Sequence, residues 1–292
     1  MIFPTKLLGR DWGVIMNKLI VSSVALVASL AGSAMAADMP IRPPVVVESW
    51  TGFYVGVALG GRFSDSKWTT NCLSTGAPGG VGCPLNLAAN GTRFLTDNPS
   101  GLSSATFRPS VYLGYNWQVG NWVVGAEADV AYGQGNNSIK GIPGAENLVQ
   151  AGSPGNDIAT IKDSWDASAR ARAGFLITPT MLLYATGGAS WIHLEASAFC
   201  GTVNPLGWCR PGANLGTTST ASTTRIGWTA GGGIEAMLWS NWLARIEYRY
   251  SDYGKFDYTL FSGVDAIAAE TKFHTHTALV GVAYRFGGPV LP

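Results

Sequence analysis

A regular alternation of apolar and polar residues is the feature that most restricts the fold of this chain. In the segment NWLARIEYRY, residues 241–250, the even positions are apolar or aromatic, whereas Arg245, Glu247 and Arg249 share the other face. A period of two places successive side chains on opposite faces of a β-strand. The segment is therefore predicted to be a strand with one apolar and one charged face.

The same alternation recurs along the chain and predicts eight strands. They are centred on TGFYVGVALGGRF, FRPSVYLGYNWQV, NWVVGAEADVAY, DSWDASARARAGFLIT, MLLYATGGASWIH, RIGWTAGGGIEAML, NWLARIEYRY and HTALVGVAYRF. Turns of a few residues, at QVGNW, TPT and WSNW, join strands two to three, four to five and six to seven, as tight hairpins require. The other connections are long, at roughly residues 62–105, 134–161, 196–222 and 252–270. Short turns at one end and long loops at the other are typical of an antiparallel up-and-down transmembrane β-barrel.

The charged face distinguishes a membrane barrel from a soluble β-sandwich, whose strands also alternate. Its acids and bases balance across strands and are interspersed with Gly and Ala, which suits the narrow interior of an eight-stranded barrel. An arginine on the lipid face at mid-bilayer would cost about 2–4 kcal/mol. The sequence therefore predicts an interior charge network that comprises Glu127, Asp129, Asp166, Arg170, Arg172, Arg225, Glu235, Arg245, Glu247, Arg249 and Arg285.

Aromatic residues mark both edges of the predicted lipid-facing band. Trp122 and Tyr132 lie ten positions apart on one strand. At about 3.3 Å per residue and a tilt of about 40°, this separation is about 25 Å, the height of the apolar band. Two aromatic girdles are predicted, with Trp117, Trp122 and Trp242 beside the short turns, and Tyr132, Trp165, Trp228 and Tyr250 towards the long loops.

The first 36 residues have the organisation of a secretory signal peptide. A positively charged start precedes the apolar run Leu19–Leu30, and Ala34-Met35-Ala36 fits an A-x-A cleavage site. Translation from Met1 and translation from Met16 are both compatible with this pattern.

The predicted domains follow from this processing. A signal peptide spans residues 1–36, a Pro-rich periplasmic leader 37–49, the barrel 50–287 and a short tail 288–292. The mature chain keeps 16 basic and 17 acidic residues after Lys6, Arg10, Lys18 and Asp11 are removed, so no basic excess favours a nucleic-acid partner. Outside the signal peptide no apolar run is long enough for a membrane-spanning helix.

Four cysteines remain in the exported chain. An even number in an oxidising compartment favours disulfides. Three connectivities are possible, and the short separations favour pairing of Cys72 with Cys83 and of Cys200 with Cys209.

The segments GFYVGVALGG, LLYATGGASW and GVAYRF resemble the small OmpA-like outer-membrane β-barrel family of alphaproteobacteria, which includes major surface proteins of rhizobia and brucellae. The resemblance covers about Trp50 to Phe286. It implies eight strands, both termini in the periplasm and insertion by the barrel assembly machinery. It also implies that Tyr284 and Phe286, on the last strand, form the insertion signal, although this chain continues through GGPVLP.

No catalytic or metal site is expected. His274 and His276 share a strand face, but no carboxylate or third histidine accompanies them on that strand, so they are interpreted as histidines near the barrel rim. Ser190 and His193, in GASWIHLE with Glu195, are three positions apart and point to opposite faces of a strand. That geometry does not suit a nucleophile and its base, and no cofactor is expected.

The expected function is that of a structural, surface-exposed outer-membrane barrel which contributes to envelope integrity and is not an enzyme. Its expected partners are outer-membrane lipid and lipopolysaccharide. Two alternatives stay open at this point. The charged interior is also compatible with a small porin that passes ions or small solutes, and the long loops with an adhesin or receptor for an unidentified extracellular ligand.

Overall fold

The described part of the chain forms a single antiparallel β-sheet. The computed structural model describes residues 49–73, 98–143, 156–201, 215–239, 241–261 and 266–287, so the predicted signal peptide, most of the leader and the tail lie outside the described residues. No helix in these ranges is both long and apolar enough to cross a membrane. The strands are β1 (Gly52–Leu73), β2 (Ser100–Phe107), β3 (Ser110–Val119), β4 (Trp122–Lys140), β5 (Ile158–Thr178), β6 (Met181–Phe199), β7 (Thr218–Trp239), β8 (Trp242–Leu260) and β9 (Ile267–Phe286).

The sheet closes into a barrel. From β3 to β9 each strand pairs with the next one in sequence, and β1 pairs with β2 and β3 on one side. On its other side β1 pairs with β9 from Phe53↔Phe286 to Leu73↔Ile267. This pairing joins β1 to the last strand of the sheet, and the predicted up-and-down barrel is confirmed.

β2 and β3 are two parts of one barrel strand. β3 pairs with β1 up to Ala58↔Ser110, and β2 continues the same register from Gly61↔Phe107. Pro109 interrupts the ladder because it has no N–H to donate, yet the N–H of Arg108 still donates to the Gly60 carbonyl at 2.8 Å. The barrel is therefore eight-stranded, as predicted, with one strand broken at Pro109.

The two ends of the barrel differ, and we name them by their connections. At the turn end, β3 and β4 pair up to Val119↔Trp122, and two-residue connections likewise join β5 to β6 and β7 to β8. These are the three short turns that the sequence predicted. The loop end carries the segments 74–99, 141–157, 200–217 and 261–266.

The strands extend further towards the loop end than predicted, so the predicted loop boundaries are wrong. β1 continues to Leu73, β4 to Lys140 and β6 to Phe199, all within segments expected to be loops. The alternation persists there, but outward residues such as Asp65 and Lys67 are polar. The apolar pattern therefore stops near the aromatic girdle although the strand does not.

The barrel has an apolar outside and a filled inside. Outward side chains between the girdles are apolar and exposed, as for Val57 at 52% and Val280 at 61%. Charged side chains such as Arg170 and Glu235 point inward and are buried. This arrangement inverts that of a soluble protein and suits a barrel whose solvent is lipid.

Three layers fill the interior. The turn-end layer is mainly apolar and consists of Trp50, Tyr54, Ala58, Tyr112, Val123, Leu176, Leu182, Tyr184, Met237, Leu243, Leu279 and Ala283. The ion-pair layer lies above it. The loop-end layer is again apolar and consists of Trp68, Leu102, Ile142, Ala159, Ile161, Ile192, Leu194, Ala196, Ala198, Cys200, Tyr253, Phe256, Leu260, Ile267, Ala269 and Phe273.

Trp50 closes the turn-end layer. Its side chain is fully buried although it precedes the first strand. The indole Nε1–H donates to the Pro179 carbonyl at 3.0 Å, and its backbone N–H donates to the Gln118 side chain at 2.7 Å. Both partners lie at hairpins of the turn end, so these two hydrogen bonds hold Trp50 across that end of the barrel.

Candidate functional site: the ion-pair layer

The ion-pair layer is electrically balanced. Buried ion pairs join six arginines to six carboxylates, so the layer has no net charge when all twelve groups are ionised. A buried charge is tolerated when it is paired and hydrogen-bonded. The members are Arg62, Arg108, Arg170, Arg172, Arg245 and Arg249 with Glu127, Asp129, Asp163, Asp166, Glu235 and Glu247.

Glu127 lies at the centre of the turn-end side of this layer. Its Oε1 accepts from Arg170 Nη2 at 2.5 Å, and its Oε2 accepts from Arg245 Nη1 at 2.5 Å. The hydroxyl of Tyr54 donates to the same Oε2 at 2.8 Å. Arg172 lies 3.7 Å away and pairs with Glu235. One carboxylate on β4 therefore connects β1, β5 and β8 across the barrel.

Glu247 and Asp129 are linked by Arg249. Arg249 Nη2 donates to Glu247 Oε1 at 2.8 Å, and its Nη1 donates to Asp129 Oδ1 at 3.0 Å. Arg170 Nη1 also donates to Glu247 Oε1, at 2.7 Å. The Tyr184 hydroxyl donates to Glu247 Oε2 at 2.8 Å. The three charges of the segment NWLARIEYRY thus all point inward and are paired, as the alternation indicated.

The loop-end side of the layer was predicted only in part: Asp129 and Asp166 were expected there, whereas the two arginines and Asp163 were not. Arg108 Nη2 donates to Asp129 Oδ2 at 2.7 Å and also pairs with Asp166. Arg62 Nη1 lies 2.5 Å from Asp166 Oδ1, and its Nη2 pairs with Asp163. Arg62 continues the inward face of β1 and was missed because the first long connection was expected to begin at about residue 62. Asp163 was missed because a register shift between Asp163 and Asp166 lets both point inward, which a strict period of two does not allow.

Tyrosine rings contact two guanidinium groups of the ion-pair layer. The Arg172 guanidinium lies 4.2 Å from the centroid of the Tyr184 ring, and that of Arg245 lies 3.5 Å from the Tyr112 ring. Cation–π contact adds to the stabilisation of a buried guanidinium. Space for the Tyr112 ring comes from Gly56, where a Cβ atom would lie 2.4 Å from the ring.

Two of the predicted network arginines lie elsewhere. The prediction for Arg225 is wrong. The Arg225 side chain points inward near the loop end and is only half-buried. It donates a hydrogen bond to the Lys255 carbonyl at 2.8 Å, and its guanidinium lies 5.9 Å from the centroid of the Phe256 ring. Its position on β7 is too far towards the loops to meet the carboxylates. Arg285 is fully buried at the turn end, where its Nη2 lies 3.5 Å from Asn241 Oδ1.

The aromatic residues chosen from the sequence all point outward. At the turn end, Trp122 packs on Phe175 at 5.3 Å between ring centroids, and Trp242 packs on Tyr284 at 5.4 Å. Trp117 is also exposed at this end. Towards the loop end, Trp228 packs on Tyr250 at 5.4 Å, and Tyr132 pairs in register with Trp165. These positions suit the two interfaces of a membrane.

The predicted disulfide cysteines and the predicted insertion signal are the remaining sites, and the structure describes only some of their residues. Cys72 and Cys200 are both disulfide-bonded, whereas Cys83 and Cys209 lie outside the described residues, so the predicted pairing stays a prediction. Tyr284 and Phe286 lie on the outer face at the end of β9, with their rings 5.1 Å apart.

The Ser190, His193 and Glu195 side chains do not come together. The Ser190 side chain is buried, and its Oγ lies 2.8 Å from the Tyr253 hydroxyl. His193 is on the outer face, where its ring stacks on Trp165 and its Nδ1 lies 3.2 Å from Thr224 Oγ1. Glu195, also outward, pairs with Lys162 at 3.3 Å. This arrangement does not form a nucleophile–base pair.

The loop-end layer also holds polar groups away from water. Tyr258 packs against Trp68 with ring centroids 5.2 Å apart, and its hydroxyl lies 2.9 Å from Thr271 Oγ1. Burial raises the pKa of the Tyr258 hydroxyl above its ordinary value, because a phenolate would lose its hydration there.

An antiparallel barrel with an apolar exterior, two aromatic girdles and a charged interior defines an outer-membrane β-barrel protein. The chain belongs to the family described as "Outer membrane protein beta-barrel domain", which matches residues 23–286. It is therefore a protein of the outer membrane.

Similar proteins come from brucellae and rhizobia. The 31 kDa outer-membrane immunogenic protein of Brucella melitensis is 32% identical over 285 residues, which cover 93% of this chain and all of that protein. The 22 kDa outer membrane protein of Rhizobium leguminosarum is 30% identical and covers 78% of this chain and 74% of its own length. The 25 kDa outer-membrane immunogenic protein of Brucella abortus is 26% identical over 278 residues. These names describe outer-membrane proteins and assign no enzymatic activity.

Two solved structures match most of this chain at low sequence identity. The outer membrane protein OprG of Pseudomonas aeruginosa matches 82% of this chain and 97% of its own, with 12% identity and a TM-score of 0.47. Ail of Yersinia pestis matches 81% of this chain and 99% of its own, with 14% identity and a TM-score of 0.33.

Proposed function

We propose that this protein is a structural, surface-exposed outer-membrane barrel that contributes to envelope integrity, has no enzymatic activity and keeps its interior closed. The observation that carries the proposal is the balanced ion-pair layer between two apolar layers. An interior that is cross-linked in this way stiffens a barrel wall and occupies the space a solute would need.

The ion-pair layer differs from the lining of a channel. A conducting lumen presents charges that an ion can approach and leave. Here the carboxylates already accept hydrogen bonds from arginines. The carboxylate oxygens of Glu127, for example, lie 2.5 Å from guanidinium nitrogens of Arg170 and Arg245. An ion moving along the axis would also have to shed water among the buried apolar side chains of the loop-end layer, which include Phe273 and Leu260. Both features favour a closed barrel over a small porin.

We propose that the turn end faces the periplasm and the loop end faces the medium. Long connections lie on the external side of bacterial outer-membrane barrels, and short turns on the periplasmic side. Two relatives are named immunogenic proteins, which agrees with exposure of the loop end. In this orientation Tyr284 and Phe286 lie at the periplasmic edge, where the barrel assembly machinery would recognise the last strand.

Lipid and lipopolysaccharide are the proposed partners of the outer face. The apolar band between the girdles would contact acyl chains. Above the loop-end girdle, Lys67 and Lys272 are cross-strand neighbours, and both are exposed. Ammonium groups side by side repel each other, so a phosphate of lipopolysaccharide would relieve the repulsion while it pairs with both.

A deletion strain tests the structural role. Loss of the protein is expected to increase sensitivity to detergent and uptake of a hydrophobic fluorescent dye, and the wild-type gene should reverse both effects. A second complementing variant, in which a short linker replaces residues 144–155, keeps each of the nine described strands and should restore the envelope equally well. A deletion strain with unchanged detergent sensitivity and dye uptake would contradict the proposal.

A second candidate function is recognition at the loop end. The observation in its favour is that the strands continue past the girdle around an apolar core, which makes a rigid platform for the connecting segments. The same linker variant separates the two functions. If recognition by this connecting segment is the function, the wild-type gene restores surface attachment to the deletion strain and the variant does not, whatever the state of the envelope.

A further inference from the structure

Closure of the barrel brings together three metal-ligating side chains that are far apart in the sequence. Asp65 on β1 is the cross-strand neighbour of His274 on β9, and His276 lies two residues further along the same face. One ligand atom from each of these residues lies within 4.8 Å of the others. We propose that Asp65, His274 and His276 bind a zinc-class divalent cation on the outer face of the barrel.

The donor set indicates which ion would bind. Two imidazole nitrogens and one carboxylate oxygen suit Zn²⁺ and its neighbours Ni²⁺ and Cu²⁺, whereas Ca²⁺ and Mg²⁺ prefer oxygen donors. In tetrahedral zinc sites the ligands lie about 2.0–2.2 Å from the ion. Asp65 Oδ2 and His274 Nε2 are 3.8 Å apart, which is too long for a hydrogen bond. This distance is close to the spacing of two ligands around one such ion.

The backbone of the site is held by paired strands, whereas the side chains that would bind the ion are free to move. β1 and β9 pair in continuous register across this region, and β8 pairs with β9 as far as Asp252↔His274, where its register shifts. The side chains are only half-buried, with 33% of His274 and 47% of Asp65 exposed. Movements of about 1 Å, which such side chains make freely, would bring the donors to bonding distance.

Two neighbouring residues hold and orient the proposed ligands. The Tyr248 hydroxyl lies 2.6 Å from His276 Nδ1. When that nitrogen carries the proton and donates to Tyr248, Nε2 is left free as a ligand, as in metal sites in general. Asp252 is the neighbour of His274 on its other side and adds a second negative charge. Its Oδ1 accepts from the Gly254 N–H at 2.8 Å, which holds the carboxylate in place.

The site lies at the loop-end edge of the membrane band. His276 is in register with Tyr250 of the girdle, and their ring centroids are 5.1 Å apart. Three protein ligands leave an open coordination position. Asp65 and Asp252 offset the positive charge of Lys67 and Lys272, the next outward pair towards the loop end, so a divalent cation meets no excess of positive charge.

Zinc titration of the refolded full-length protein without a histidine tag tests this site. A chromogenic zinc chelator in detergent micelles reports the affinity, and heat-modifiable migration on a denaturing gel reports folding. Wild-type protein is expected to bind one equivalent. Asp65→Asn, His274→Ala and His276→Ala should each weaken binding by about tenfold or more, since loss of a residue that only orients a ligand already weakens metal binding by about tenfold.

The chain offers a matched control in its third histidine. His193→Ala removes an outward histidine that also stacks on a girdle tryptophan, and it should leave zinc affinity unchanged. The visible absorption of bound Co²⁺ gives a second readout, and its intensity should indicate a tetrahedral site. Absence of saturable zinc binding, or equal binding by the wild-type and His274→Ala/His276→Ala proteins, would overturn the proposal.

Discussion

Glu127 is the residue on which the pairing of the barrel interior depends most directly. It accepts from two arginines and a tyrosine that come from three other strands. A buried ion pair contributes little net stability by itself, because burying both ions costs free energy. The loss of one partner is much more costly, since the remaining charges stay buried without compensation.

Replacement of Glu127 by alanine is therefore expected to lower the free energy of unfolding by about 3–5 kcal/mol. Urea unfolding of protein refolded in lipid vesicles measures this change. Glu195→Ala is the matched control, since Glu195 pairs with Lys162 on the outer surface and should change stability by less than about 1 kcal/mol. Equal losses in the two variants would show that the interior pairing does not stabilise the barrel.

Gly56 makes a different, steric contribution at the same scale. A Cβ atom here would lie 2.4 Å from the Tyr112 ring and 2.5 Å from the Val282 carbonyl oxygen. Gly56→Ala should therefore cost about 1–3 kcal/mol, as overpacking usually does. Gly101→Ala is the control, because no atom lies within 4 Å of the corresponding Cβ. Urea midpoints that shift by the same amount would contradict this explanation.

At the scale of the strand, the loop-end layer explains why the barrel wall continues past the girdle. The outward residues there are polar, so lipid does not stabilise these segments. Their inward residues include Trp68, Phe256 and Phe273, all buried. The extension therefore has its own core, formed by the inner faces of strands that would otherwise fray.

Truncation of Phe273 tests this role. Phe273→Ala should destabilise the loop-end layer by about 3–5 kcal/mol. It should also accelerate amide hydrogen exchange in the halves of β8 and β9 that lie towards the loop end. Exchange between the girdles should stay slow. Phe63→Ala, which removes an outward phenylalanine, is the control. Exchange that rises uniformly along β8 and β9 would indicate that the loop-end layer is not a separate core.

The sequence allowed the orientation of most strands to be predicted, because a period of two is local and uninterrupted over the girdle-to-girdle stretch. It did not allow strand lengths to be predicted, since the outward residues beyond the girdle are no longer apolar. Register shifts such as the one between Asp252 and Lys255 were equally invisible, because they add residues without changing composition.

Pairing between the first and last strands is the largest element that sequence reasoning could not supply. The prediction of an eight-stranded barrel implies that β1 meets β9, but not in which register. The register places Asp65 beside His274, and the histidines had been set aside because no carboxylate stands beside them on their own strand. Contacts of this kind depend on the closure of the whole sheet and have no local signal.

For the whole molecule, the layered interior determines whether the barrel is a closed structural element or a pore. The six arginines and six carboxylates are held between two apolar layers, and Trp50 is fastened across the turn end. Replacement of Arg245 and Glu247 would remove the four ion pairs that these residues make but leave both apolar layers in place. Closure is therefore expected to survive such a substitution.

Planar-bilayer recording of the purified, refolded protein tests the closed interior most directly, with a general porin in the same bilayers as the positive control. We expect no discrete current steps from the wild-type protein, and none from a folded Arg245→Ala/Glu247→Ala variant. Regular steps from the wild-type protein, with an ion selectivity that changes in this variant, would show that the charged layer lines a pore and would contradict the account.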